Sequence, residues 1–409
     1  GVERSFLRPL GRLPAYRDRM AAGFLPLFWA NDAGGVVLGL QRRQGYLGTM
    51  HRSVLRVGAP GFSGLDRGGA SQHDDLGSLY YRIEDPIVSD DPLFGTSLEV
   101  FAGEGRLFGR LEREWDVSPR PEITPRRSVS AYLLAADVYD PTYLISGRWN
   151  RTPGQAEGTT VEGGLGIGGV RGAASDGWGR WEVGLTGGTG ISTQAESWVR
   201  GSLEAKWSRE VVDWTSEARL FAGGATGNVG GGAWDGEAVP LQRRFGLSGA
   251  GPYEILGDPW ARSRGGFLER EAHHPGDGSL RGYRRDLMVD RLVTLGGELR
   301  SPNLSVGPMS LAGSLFGGLG WVPELVVIEE SVGTGGGVGP GGSTVTFDVV
   351  LRENDVVLGD AGVGVTLGWE GAPLGLRLDV PFFVSRPAHA RSARDEELGF
   401  RWAVSVVSR

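Results

Sequence analysis

From Phe28 almost to the C-terminus, apolar and polar side chains alternate with a period of two. That is the geometry of β-strands with one face in an apolar medium and the other in water. In Trp198 to Trp207, Val199, Gly201, Leu203, Ala205 and Trp207 fall on one face, and Arg200, Ser202, Glu204 and Lys206 on the other. Trp181, Val183 and Leu185 alternate with Arg180, Glu182 and Thr186, and Val345, Phe347, Val349 and Leu351 with Thr346, Asp348 and Arg352. Leu374, Leu376, Leu378, Val380 and Phe382 alternate with Gly375, Arg377 and Asp379, and the final window sets Phe400, Trp402, Val404 and Val406 against Arg401, Ala403 and Ser405. Clusters of Gly, Pro, Asp and Ser separate the windows as turns do, so the chain reads as a meander of antiparallel strands.

Nowhere is there an uncharged apolar run of the ~18 residues a transmembrane helix needs, so any crossing of a membrane falls to strands. Seventy-one glycines in 409 residues disfavour helix interiors and suit twisted strands and turns. A net charge of -7 argues against a nucleic-acid binder, whose phosphate contacts need a basic face. The chain has no cysteine, which removes disulfides, thiolate nucleophiles and cysteine metal sites.

These features together predict an all-β chain folded as a transmembrane antiparallel β-barrel. A spanning strand takes ~9–11 residues, and with its connections roughly 24, so this length predicts about 16 strands. Residues 1–25 read as an N-terminal linker or short plug segment and 26–409 as the barrel. The chain opens at Gly1 without a basic segment followed by an apolar core, so a signal peptide is expected to be already removed or to lie upstream. Trp149, Trp178, Trp198, Trp207, Trp214, Trp321 and Trp369 near window ends suit interfacial girdles, with sandwich-core aromatics as the alternative. Gly333 to Ser343 and Leu256 to Gly278 read as long loops.

The second of these loops leads into Ser279 to Asn303, SLRGYRRDLMVDRLVTLGGELRSPN, where a polar glycine-turn tripeptide, Arg281-Gly282-Tyr283, runs directly into a two-faced strand. An arginine inserted into a barrel lumen needs a carboxylate for its guanidinium fork. Gly282 would allow a tight turn and Tyr283 would pack its ring on the wall. Parity puts Glu298 and Asp379 on polar strand faces as candidate partners of Arg281, with Asp360 a third.

With Leu280-Arg281-Gly282-Tyr283, Glu298-Leu299-Arg300-Ser301-Pro302, Asp360 to Trp369 and Pro373 to Phe382 in this order, the chain resembles the outer-membrane insertase and two-partner-secretion superfamily, the BamA-like surface-antigen barrels. The resemblance is strongest over 245–409. It implies 16 strands in a bacterial outer membrane, with the loop between strands 11 and 12 folded into the lumen. Two departures stand out. The family's strand 13 carries an aspartate that receives the loop arginine, whereas here the stretch is Phe316-Gly317-Gly318-Leu319-Gly320, so Glu298 or Asp379 must supply the charge. The chain also ends Val407-Ser408-Arg409, where such barrels usually finish on an aromatic residue.

Other chemistry finds little footing. His273-His274 are adjacent and cannot face one ion as an i, i+4 pair does, so no metal is expected. Gly163 to Gly169 lacks the Lys-Ser/Thr ending of a phosphate loop and reads as a glycine-rich strand. No GxSxG turn accompanies the five histidines, and no catalytic residue, enzyme activity or cofactor is expected. The resemblance implies protein insertion or translocation across the outer membrane. An anchor barrel fused to an upstream soluble domain, peptidase- or lipase-like, and a passive pore are the alternatives. Expected partners are outer-membrane lipid and lipopolysaccharide, an unfolded polypeptide substrate and an upstream domain of the same precursor, with no nucleic acid.

Overall fold

A computed structural model describes residues 3–4, 20–31, 35–46, 50–62, 77–84, 94–118, 126–139, 158–173, 177–191, 197–228, 239, 243–251, 257, 273–284, 287–334, 344–369, 374–389, 398 and 400–408. Trp149, the glycine-rich stretch 335–343 and most of the segment before Met20 lie outside the described residues.

Sixteen long strands follow one another among the described residues: β1 Met20–Asn31, β2 Gly35–Tyr46, β3 Met50–Phe62, β4 Ser78–Glu84, β5 Phe94–Gly103, β6 Arg106–Asp116, β7 Arg126–Val138, β8 Gly158–Ala173, β9 Gly177–Gly190, β10 Ser197–Val211, β11 Trp214–Asn228, β12 Arg291–Arg300, β13 Met309–Thr334, β14 Thr344–Trp369, β15 Leu374–Val384 and β16 Ala403–Ser408. Each pairs antiparallel with its neighbour in the chain, from β1 on β2 to β15 on β16. The first strand begins at Met20, inside the segment read from sequence as a linker, because its ladder with β2 runs from Met20↔Tyr46 to Asn31↔Gly35.

Among the described residues the ladders of β1 and β16 run to β2 and β15. Glu3–Arg4 lies parallel to Ala21–Ala22 on β1, and the His273 amide donates to the Val404 carbonyl of β16 at 2.7 Å. The connections after even-numbered strands run to at most nine residues, as at Val212–Asp213, whereas those after odd-numbered strands reach the 62 residues, 229–290, that join β11 to β12. Outer-membrane barrels carry their short turns on the periplasmic rim and their long loops outside.

Parity sorts the side chains. In β10, Val199, Leu203 and Trp207 are exposed on the outer face while Trp198 and Ser208 are buried on the inner one. In β12, Val293, Leu295 and Leu299 are exposed and Leu292 and Thr294 buried. An all-round belt of exposed apolar side chains over a polar interior is the arrangement of a barrel in lipid. Among the described residues no helix is long and apolar enough to cross a membrane.

Two tryptophans assigned to girdles from sequence face inward instead. Trp178 pairs in register with Ser208, and Trp198 shares its parity with Arg200. Trp198 is 1% exposed and lies on Gly188, where an added Cβ would come within 2.5 Å of its ring. Gly163 to Gly169 is strand, within β8, as read from sequence. Lumenal rings lying flat on backbone also account for Gly223, which sits under Phe245, and for Gly39, under Trp29.

Candidate functional site

The described part of the β11–β12 connection enters the lumen. Within it Phe245–Gly246 pairs with Met288–Val289, so the excursion returns on itself before reaching β12. Its apolar residues, among them Phe245, Leu247, Leu280, Tyr283 and Leu287, are buried in one cluster with Phe221, Leu292, Val322, Val356, Leu358 and Val384 of the barrel strands. The lumen on this side therefore has a packed core.

The Arg281-Gly282-Tyr283 turn lies against β12 to β15. Arg281 Nη2 donates to Glu298 Oε2 at 2.7 Å and Nη1 to Asp379 Oδ1 at 3.4 Å. Its guanidinium stacks 4.4 Å from the centroid of Phe316 on β13. Where the family pattern has an aspartate on β13, this chain thus offers the ring of Phe316 beneath the cation, with carboxylates coming from β12 and β15. Asp360 takes another role: its Oδ2 accepts the Gly282 amide at 2.8 Å. Gly282 has no room for a side chain, because a Cβ there would collide with Val384 Cγ1 and sit 3.1 Å from Asp360 Cβ. The Tyr283 hydroxyl donates to the Gly359 carbonyl at 3.0 Å and meets Ser385 Oγ at 3.2 Å. Burial pushes the Tyr283 phenol pKa up, so it stays a neutral donor.

The centre of the cluster is a residue that parity placed on a polar face but that was not singled out. Arg377 donates to both oxygens of Asp379 at 2.7 to 3.0 Å, to Glu298 Oε1 at 2.7 Å and to Ser314 Oγ at 3.1 Å. It joins β12, β13 and β15 across the floor of the site. Crossing β14 requires Gly364, which lies in register between Ser314 and Asp379. A Cβ at Gly364 would stand 2.5 Å from Asp379 Oδ1 and 2.6 Å from Ser314 Oγ. Arg300 adds a third cation on Glu298 at 3.2 Å. Three arginines share two carboxylates, so each buried acid is multiply paired and desolvation is offset by charge-assisted bonds. The Leu-Arg-Leu-Asp spacing, which places 377 and 379 on one face, was the available sequence signal.

A second attachment holds the same loop to the neighbouring strands β10 and β11. Asp277 accepts from Arg200 Nη2 at 3.3 Å and from the Gly246 amide at 3.0 Å, while its carbonyl accepts from Arg219 Nη1 at 2.6 Å. Arg219 is itself held by Glu204 at 2.6 Å. Between the two attachments lies a cavity of about 340 Å³ bordered by Lys206, Arg219, Arg281, Glu298 and Arg300. His273 borders it too; its buried side chain sits beside the amide that bonds Val404.

The fold is similar to that of CdiB from Escherichia coli, with a TM-score of 0.52 and 13% identity over 97% of this chain and 64% of that one. BamA from Haemophilus ducreyi lacking POTRA domains 1-3 aligns with a TM-score of 0.44 and 10% identity over 95% of this chain and 70% of that one. CdiB from Acinetobacter baumannii aligns with a TM-score of 0.44 and 13% identity over 94% and 58%. The chain thus spans about 64% of the length of the Escherichia coli CdiB chain. No protein-family model and no curated sequence matches it. The chain thus shares the barrel fold of Escherichia coli CdiB, with the described part of its β11–β12 connection packed inside the lumen.

Proposed function

We propose that the protein inserts polypeptide into the outer membrane or translocates it across, with the 229–290 loop as a plug that docks and undocks. The observation that carries this reading is the way the loop is held. Arg281 reaches Glu298 and Asp379 through a partly exposed guanidinium, and both carboxylates keep Arg377 when Arg281 leaves. A cluster that stays paired without the loop lowers the cost of undocking, because no buried carboxylate is stranded. A passive pore has no use for such a plug.

Planar-bilayer conductance of the refolded chain beside Arg281→Ala tests the reading. Small, flickering currents in the wild type that grow in the variant are expected. Large steady currents in both proteins would reduce the barrel to an open pore.

A further inference from the structure

The outer face near the short-turn rim carries charges that neither the lumen cluster nor the loop uses. In β6 the run Leu111-Glu112-Arg113-Glu114-Trp115-Asp116 is sorted by parity. Glu112, Glu114 and Asp116 fall on the inner face with the buried Phe108, while Arg113 and Trp115 fall on the outer face with the exposed Leu107 and Leu111. In β10, Arg209 shares the outer face with Trp207, and Glu210 the inner face with Ser208. Arg127 of β7 lies on the face of Leu133, Arg171 of β8 on that of Leu165 and Ile167, and Arg42 of β2 on that of Leu38 and Leu40. On all five strands the outward cation stands within four residues of the short-turn end. No carboxylate shares the outward face of these strand ends among the described residues.

An arginine at the edge of the hydrocarbon is costly unless its stem lies along apolar surface and its head reaches an acceptor, and the guanidinium fork matches phosphate oxygens two at a time. Trp115 is at home at headgroup depth, and the Arg113 guanidinium lies 5.4 Å from its ring. A zwitterionic headgroup would bring its own cation to a surface with no outward carboxylate to receive it. An anionic headgroup meets no such conflict. We propose that this rim is a collar that binds anionic glycerophospholipid headgroups of the adjoining leaflet, with Arg113, Arg127 and Arg171 on the adjacent strands β6, β7 and β8 as its densest part. An acidic protein partner fits less well, because the collar is continuous with the apolar belt that faces acyl chains.

The collar rests on the barrel fold and stands whether or not the transport reading holds. Its test is electron paramagnetic resonance of spin-labelled phosphatidylglycerol and spin-labelled phosphatidylcholine in phosphatidylcholine bilayers containing the refolded full chain. A phosphatidylglycerol preference of about fivefold is expected, the scale of one basic residue beside an anionic surface. The triple variant Arg113→Gln, Arg127→Gln, Arg171→Gln should bring the ratio close to one. In 1 M salt the wild type should lose most of its preference, since the screening length falls to about 3 Å, and this arm needs no variant to fold. Equal association of the two lipids with the wild type at low salt would overturn the proposal. So would a preference that survives both the triple variant and high salt.

Discussion

Arg281→Ala tests how much of the loop's attachment one side chain supplies. The substitution removes a charge-assisted hydrogen bond to Glu298 at 2.7 Å, a weak contact to Asp379 at 3.4 Å and the stacking on Phe316. A hydrogen bond between charged groups contributes about 1.5–3 kcal/mol net, and a cation over an aromatic ring at a partly exposed site about 0.5–1 kcal/mol. The 3–5 kcal/mol typical of stranding a buried charge does not arise, because Glu298 keeps Arg377 and Arg300 and Asp379 keeps Arg377. Undocking should therefore become easier by about 2–4 kcal/mol, a rise of about 30- to 700-fold in the ratio of undocked to docked loop. Arg284, directly after the docked turn, places a trypsin site within the loop. When the loop recloses faster than it is cut, cleavage follows the open population, so the initial nicking rate of the refolded barrel should rise by that factor. Glu298→Gln should act in the same direction and less strongly, since Arg281 keeps Asp379 and the ring of Phe316. A nicking rate in Arg281→Ala within threefold of the wild type would refute the reasoning, and would leave the apolar packing and Asp277 as what holds the loop.

Gly282→Ala should undock the turn while keeping every charge, because the added Cβ meets Val384 and Asp360; overpacking of this kind costs about 1–3 kcal/mol, and the same trypsin assay reads it. Tyr283→Phe keeps the ring and loses the hydroxyl contacts to Gly359 and Ser385, so the heat-modifiable barrel band should convert at slightly lower temperature, consistent with about 1 kcal/mol. Leu295→Arg puts a cation on the lipid face and should cost about 2–4 kcal/mol if it lies near the bilayer midplane, seen as a lower folded fraction in urea titrations in vesicles.

The period-two alternation was sufficient for an all-β barrel and for which face of β10, β12 and β15 meets lipid, because the face of a strand residue follows from its parity alone. Local chemistry also pointed to Arg281, Gly282 and Tyr283, since a glycine turn carrying one arginine into a strand is a feature of adjacent residues. The same parity rule, applied to Trp198 and Arg200, would have placed that tryptophan in the lumen, whereas its position near a window end suggested a girdle. What only the tertiary structure decided is which groups meet across strands. Glu298 and Arg377 are far apart in the chain, and their meeting depends on the registers of β12 to β15 and on the missing side chain at Gly364. Asp360, the third and looser candidate in the sequence, took the Gly282 amide because the turn presents backbone to β14 and guanidinium to β12 and β15. Asp277, near the paired histidines, gave no sequence signal, because its partners Arg200 and Arg219 lie on strands that only the folding of the loop into the lumen brings within reach. Parity is a property of one strand, whereas a charge cluster is a property of several strands in register with a loop placed against them.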